Sequence, residues 1–364
     1  MHRKDNNRFS CRYIIRAKNM NPIAIRLLAQ QLNSPQLSTP KDIVSHFGVM
    51  QAQDYRMMRW AVVMRMRRPS AEAFRTAFDE GEIIRLHLLR GTWQLVSRDD
   101  YPWMLSLFAD KAERTIRGWM KANRVSIGDE ELHAIRDILV EECAEKGDAT
   151  KDDFSAALLR RGINMDAHRL SYHIRLAEIS GTLCSGCLTP MRATYALAEK
   201  KAENTKSQMG KDELLARFAR KYFQSHSPAT FGDYLWWSGL TATECRRGMD
   251  ALGTELSKEK WKGYEFYVHE SCRRRGFRKG KSLLLSPFDE YLIGYKSRDV
   301  VLSPHHVHHA HTGNGIFFPV IAHDGIICGN WSPWEKNLKT SMFASIEEEL
   351  ALGNQWKDFS QTRQ

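Results

Sequence analysis

Residues 21–54 read NPIAIRLLAQQLNSPQLSTPKDIVSHFGVMQAQD. Asn21-Pro22 is a helix start: an Asn side chain accepts an orphan N–H, and Pro is pre-set for the first helical position. The apolar spacing predicts a helix through about Leu32. Thr39-Pro40 repeats the signal, and Gly48 closes that second helix. Asp54 predicts an N-cap for a third helix with Met57, Ala61 and Met64 on its apolar face. Working outward, a further helix is expected over about 70–79, after Pro69. Ile83–Val96 is rich in β-branched and long apolar residues and broken by Gly91, as in a strand or hairpin. Ser97, Asp99 and Asp100 then open a long helix to about Ala122.

The order recurs twice. Helices are expected over about 129–146, from Thr150 to Gly162, and from Asp166 to Ser180, with strands around Leu183 and Thr194–Leu197. After a polar linker, Lys200–Lys211, helices are expected at about 212–225, 229–238 and 242–252, then strands at about 254–257 and 264–269. Helices followed by a short β wing form the winged-helix plan, a relative of helix-turn-helix domains. The last hundred residues change character. Ser282–Leu285 is apolar, and Ile316–His323 and Ile326–Trp331 flank Asp324-Gly325, the strongest hairpin signal in the chain. A terminal helix is expected at about 344–352. The fold class is therefore α+β: winged-helix units at 22–122, 123–200 and 208–270, then a β-rich, barrel-like domain at 271–345. Residues 1–21 read as a basic, disordered tail, with Met20 as an alternative start.

The chain has 364 residues, 42% hydrophobic and 27% charged, as in a globular protein of several compact units. No stretch approaches the roughly 20 apolar residues of a membrane span. The seven scattered cysteines suit a reducing cytoplasm rather than a disulfide scaffold. The net charge of +11 favours a polyanionic partner. It is concentrated at the N-terminus and in residues 258–281, where Trp261, Tyr264, Phe266, Tyr267 and Phe277 interleave with Lys and Arg. In that stretch Arg273, Arg274, Arg275, Arg278, Lys279 and Lys281 are candidate phosphate contacts. A monomer that binds double-stranded DNA is expected.

Gln51 and Gln53 lie between the second and third helices. In an extended segment, residues i and i+2 share a face, so both amides would point into one cavity just before a capped helix. A bare Gln-x-Gln more often satisfies backbone groups in a tight connection. The wider context changes that weighing. Gly48-Val-Met-Gln51-Ala-Gln53-Asp54 resembles the Gln-hydrophobic-Gln signature of the AlkZ-like (YcaQ-related) DNA glycosylases, a bacterial winged-helix family, in its Gln-x-Gln subgroup. His87-Leu-Leu-Arg90-Gly-Thr-Trp93-Gln94-Leu-Val resembles the family's strand after the first unit. Leu285-Ser-Pro-Phe288-Asp289-Glu-Tyr291-Leu-Ile-Gly-Tyr295-Lys-Ser-Arg298-Asp299 resembles its C-terminal block. Asn314-Gly-Ile-Phe317-Phe-Pro319-Val, with Asp324-Gly325 and Gly329-Asn-Trp331, resembles its closing hairpin. The blocks run in family order over about 22–335.

The resemblance implies three winged-helix units and a C-terminal barrel arranged as a C around duplex DNA. It implies monofunctional excision of alkylated purines, in some members including crosslinked bases, with Gln51 and Gln53 as the catalytic pair. It also implies DNA contacts from Arg90, Trp93 and Gln94. Many relatives carry His where this chain has Gln94, so no proton transfer is expected there. A non-catalytic DNA-binding protein, such as a transcription regulator, is the alternative. Three wings plus a barrel exceed what one operator half-site needs, and no dimerisation or ligand domain is visible. A nuclease is disfavoured because no clustered carboxylates suggest a metal site.

No metal or cofactor is expected. His305, His306, His308, His309 and His311 lack the Cys or acidic spacing of structural zinc and read as a polar loop. Cys184-Ser-Gly-Cys187 reads as a wing turn. Asp289-Glu290 reads equally as an acid–base pair or as a salt bridge, with Arg298 as a candidate partner.

Overall fold

The structure is a computed structural model in which residues 14–15, 20–202, 207–346 and 350–363 are described. Most of the segment read as a basic tail, residues 1–21, lies outside them. Its described part includes β1 (Ile14–Ile15), which pairs parallel with Ser257 and Lys258. No helix among the described residues is long and apolar enough to cross a membrane.

α1 (Pro22–Ala29) and α2 (Pro40–Phe47) start where their caps predict: Asn21 accepts from Ala24 N at 3.1 Å and Thr39 from Asp42 N at 3.1 Å. β2 (Met50–Gln51) follows Gly48, whose φ of +78° turns the chain at low cost because it has no Cβ. Asp54 caps differently from expectation. It accepts from Arg56 N and Met57 N, closing a turn, and α3 (Met58–Val63) begins only after it. Then come α4 (Ala71–Asp79), β3 (Ile83–His87), β4 (Trp93–Ser97) and α5 (Tyr101–Ala122). The sheet order is β2-β4-β3, antiparallel throughout.

The next segment holds α6 (Asp129–Lys146), β5 (Ala149–Thr150), α7 (Lys151–Arg160), α8 (Ala167–Ile179), β6 (Leu183–Ser185), β7 (Thr194–Leu197) and α9 (Ala198–Lys201). Its sheet order, β5-β7-β6, repeats that of the first. A third segment has α10 (Lys211–His226), α11 (Phe231–Ser238), α12 (Ala242–Leu252), β8 (Leu256–Trp261) and β9 (Tyr264–His269). Here the strand expected at 254–257 is longer and lies later. Lys262-Gly263, both at positive φ, form a tight hairpin turn that commits residues 256–269 to one ribbon. Strand alternation buries Phe266 completely, so it is a core residue and not a surface for stacking bases.

The C-terminal region holds β10 (Ser282–Leu285), α13 (Glu290–Ile293), α14 (Val307–Ala310), β11 (Val320–His323), β12 (Ile326–Trp331), β13 (Thr340–Met342) and α15 (Gly353–Thr362). Asp324-Gly325 makes the expected hairpin, both residues at positive φ. β11 starts at Val320 rather than Ile316, directly after Pro319, which has no N–H for a ladder. The strands form an open antiparallel sheet, β10-β11-β12-β13, and among the described residues no barrel closes. The described residues of 344–352 are not helical. The terminal helix is α15, docked through Phe359 against Trp60 and Trp331, with ring centroids 5.8 and 4.9 Å apart.

One core cluster joins α1–α4 to the C-terminal sheet, with Trp60 donating from Nε1 to Leu284 O at 2.6 Å. A second joins β3, β4 and α5 to α10–α12. Residues 135–197 have a core of their own. The C-terminal sheet thus completes the core of the first segment, which brings Glu290 to Gln51.

Candidate active site

Gln51 is the last residue of β2 and pairs with Gln94 of β4, so both side chains leave the sheet on one face. Both are buried, at 8% and 3% exposure. Gln94 Nε2 donates to Gln51 Oε1 at 2.8 Å and to Thr92 Oγ1 at 3.0 Å. Thr92 Oγ1 lies 3.4 Å from Gln51 Oε1 and donates to Leu89 O at 3.0 Å. The Gln51 amide is held by its carbonyl end, and among the described residues its NH₂ donates to no protein group.

The backbone of Gln51 is held from the far end of the chain. Its N–H donates to Glu290 Oε1 at 2.7 Å. Glu290 is 2% exposed, and its Oε2 accepts from Trp237 Nε1 at 3.0 Å and faces His226 Nε2 at 3.3 Å. Burial lowers the proton affinity of His226, with the Glu290 carboxylate opposing, and its Nδ1 lies 2.8 Å from Ser225 Oγ. The neighbouring Asp289 forms a buried two-pronged pair with Arg65, at 2.6 and 3.0 Å. Neither carboxylate of Asp289-Glu290 therefore pairs with Arg298, and Glu290 is committed to holding Gln51.

Gln53 lies in the bend after β2 and is exposed. Because α3 starts at Met58 and is short, no helix N-terminus adjoins the two amides. Arg90 sits in a 3-10 turn, Leu89–Gly91, at φ +53°. It packs against Gly239, where an added Cβ would come within 2.9 Å of its Cγ, and it donates to Trp236 O at 3.0 Å.

Trp93 leaves β4 on the face opposite Gln94. Its ring lies 4.1 Å from His87 and 4.5 Å from the Arg85 guanidinium, and its buried Nε1 has no hydrogen-bond partner among the described residues. His87 in turn pairs with Glu178. Trp93 is therefore not in the Gln51 cluster.

The 273–281 run lies on the loop after β9. Arg273 donates to Ser34 O at 2.8 Å and Arg274 is paired with the buried Glu259. Arg275, Arg278 and Lys279 are exposed, and Lys281 is half-buried, with its proton affinity lowered by burial. In the histidine cluster His309 stacks on Phe343 at 4.6 Å. Among the described residues no group of three or more His, Cys, Asp or Glu could hold a metal ion. A groove of about 750 Å³ lined by Lys111, Arg114, Leu240 and Glu244 does not include Gln51.

The chain belongs to the AlkZ-like DNA glycosylase family: the family model, DNA glycosylase AlkZ-like, matches residues 44–347. A curated relative, the interstrand DNA cross-link repair glycosylase of Streptomyces sahachiroi, is 24% identical over 347 residues, covering 89% of this chain and 90% of the relative. The solved structure of the Streptomyces sahachiroi DNA glycosylase AlkZ superposes with a TM-score of 0.74 at 21% identity, covering 94% of this chain and 95% of that one. That likeness shows the fold.

Proposed function

We propose that this protein hydrolyses the N-glycosidic bond of purines carrying a positive charge from N7 or N3 alkylation in duplex DNA. The observation that carries the reading is the fixed amide of Gln51, held at its carbonyl by Gln94 and at its backbone by Glu290. A side-chain amide is neutral and cannot be an efficient general base. Its carbonyl has two lone pairs, and Gln94 takes one. The Thr92 contact at 3.4 Å is too long to hold the second strongly. That lone pair and the carbonyl of the exposed Gln53 accept the two protons of a water beside the anomeric carbon. Their dipoles also stabilise the charge that grows on the sugar.

The C1′–N bond breaks with its electron pair going to the base, which loses its positive charge and needs no proton. Water oxygen bonds to C1′, and its proton passes to solvent. No amine takes part, so the reaction ends at an abasic site. Neutral lesions such as uracil and hypoxanthine need a proton donor and are poor substrates. The interstrand cross-link repair of the Streptomyces relative suggests that crosslinks through a cationic purine are unhooked by the same step.

The test is release of free base from duplexes carrying N7-methylguanine, uracil or hypoxanthine. Wild type should act on the first, and the double variant Gln51→Ala, Gln53→Ala should be slower by about 10²-fold or more with DNA binding retained. Wild-type rates in that variant would remove the two glutamines from the chemistry.

A further inference from the structure

Arg90 and Arg298 come from segments more than 200 residues apart and lie against the same indole. Their guanidinium carbons are 5.0 and 4.6 Å from the ring centroid of Trp236. The two charges can be no farther apart than the sum of those distances. We propose that Arg90 and Arg298, braced on Trp236, clamp a DNA backbone phosphate beside the nucleotide attacked at Gln51. The proposal rests on the reading of Gln51 as the reacting centre.

Each guanidinium is anchored by one N–H to a carbonyl: Arg90 Nη1 to Trp236 O at 3.0 Å and Arg298 Nε to Leu292 O at 3.1 Å. A guanidinium has five N–H donors, so most remain for a ligand. Among the described residues, no carboxylate forms an ion pair with either. The acids that could do so are taken. Asp299 accepts from Tyr264. Asp233 accepts from Thr230 N, Lys296 N, Ser297 N and Ser297 Oγ, all at 2.7–2.8 Å. Glu290 holds Gln51 and Trp237.

Burial pushes the proton affinity of Arg298 down to about 10; Asp233 opposes this, and the Arg90 charge adds to it more weakly. Glu290 acts on Arg90 as Asp233 does on Arg298, through space only, so both half-buried guanidiniums keep free donors for an anion. The geometry also carries backbone strain. Arg90 and Phe288 are both in the left-handed region, at φ +53° and +56°. Such positions cluster at functional sites. The Phe288 ring lies 6.0 Å from Phe317, whose own ring lies 5.0 Å from the Arg298 guanidinium. The clamp is next to the candidate active site, because Thr92, two residues after Arg90, touches the Gln51 amide. A planar fork of donors matches the two free oxygens of a phosphodiester.

The test uses the full chain and a duplex containing an uncleavable abasic analogue, with binding measured over a salt series. Arg298→Met keeps an apolar stem on Trp236 and removes the charge. It should lower the steepness of log affinity against log salt by about 0.9. In parallel, single uncharged methylphosphonates are placed along the lesion strand. One position close to the analogue should weaken wild type and weaken Arg298→Met, which keeps Arg90 on that phosphate, by clearly less. An unchanged salt slope in a variant that unfolds at the wild-type temperature would overturn the clamp. So would a scan of wild type with no sensitive phosphate near the analogue, a result that needs no variant to fold. Base release from N7-methylguanine is scored separately. If that fails while the slope and scan behave as stated, the proposed reaction falls and the clamp stands.

Discussion

Gln51 differs from a surface glutamine in having few choices left. Its peptide N–H, its carbonyl and its strand partner are all specified, so the entropy of orienting the amide is lost on folding and not during the reaction. Gln94 serves that end: it is an orienting donor, where a histidine would bring a titratable ring. Titration does matter at a residue of α2. His46 is half-buried with Nε2 on Ala29 O at 2.7 Å, and its proton affinity falls from 6.5 to about 4. Burial is the main cause, and His226, Lys221 and Arg65 act in the same direction. The folded state therefore refuses a proton that the unfolded chain takes up below pH 6.5. Stability should be level above that pH and fall as pH drops from 6.5 towards 4, by roughly 3 kcal/mol from this group. Thermal unfolding across that range should show the fall, and His46→Gln should make it shallower. A profile with the same slope in both proteins would assign the acid sensitivity elsewhere.

Among the elements, α13 has an outsized part for four residues. Its N-cap, Asp289, accepts from Tyr291 N at 2.9 Å, from Ser286 Oγ at 3.1 Å and from both terminal nitrogens of Arg65, which follows α3. The next residue, Glu290, supports Gln51. One helical start thus ties α3 to the C-terminal region and sets the height of β2. Both partners of the Arg65–Asp289 pair are essentially inaccessible, with side chains 0% and 1% exposed. Removing one leaves a buried charge without a partner. Asp289→Ala should cost about 3–5 kcal/mol in urea unfolding and lower base release as well, through Glu290. A loss under about 1 kcal/mol would mean that the pair behaves as a surface bridge does.

Over the whole molecule, the positive charge divides into a part the fold uses and a part it leaves free. Arg274 is bound to Glu259 and Arg273 to the Ser34 carbonyl, whereas Arg275, Arg278 and Lys279 project from the loop. Only the free group can replace counterions on DNA. Changing Arg275, Arg278 and Lys279 together to Ala should weaken binding to all sequences alike and reduce the salt slope by up to about 2.7. Arg274→Ala should act through stability instead. Equal salt slopes for the triple variant and wild type would make the run an ordinary solvated surface. We propose that the three small sheets of the first 270 residues, β2-β4-β3, β5-β7-β6 and β1-β8-β9, whose wing strands pair antiparallel, mark three winged-helix units.

Local order was legible in the chain itself. Asn21-Pro22, Thr39-Pro40, Gly48 and Asp324-Gly325 each act within four residues, so a cap or turn follows from the side chain alone. The same locality explains what was missed. Asp54 fits an N-cap, yet packing of Met57 and Met58 in the core starts the helix later. Phe266 alternates with charge, and only burial shows that it faces inward. The terminal helix forms where Phe359 can reach Trp60 and Trp331. Gln51 could be singled out as a residue, but the acid that holds it lies 239 positions away. No periodicity encodes that meeting, because it depends on the C-terminal sheet burying its apolar face against α1–α4, a result of tertiary packing.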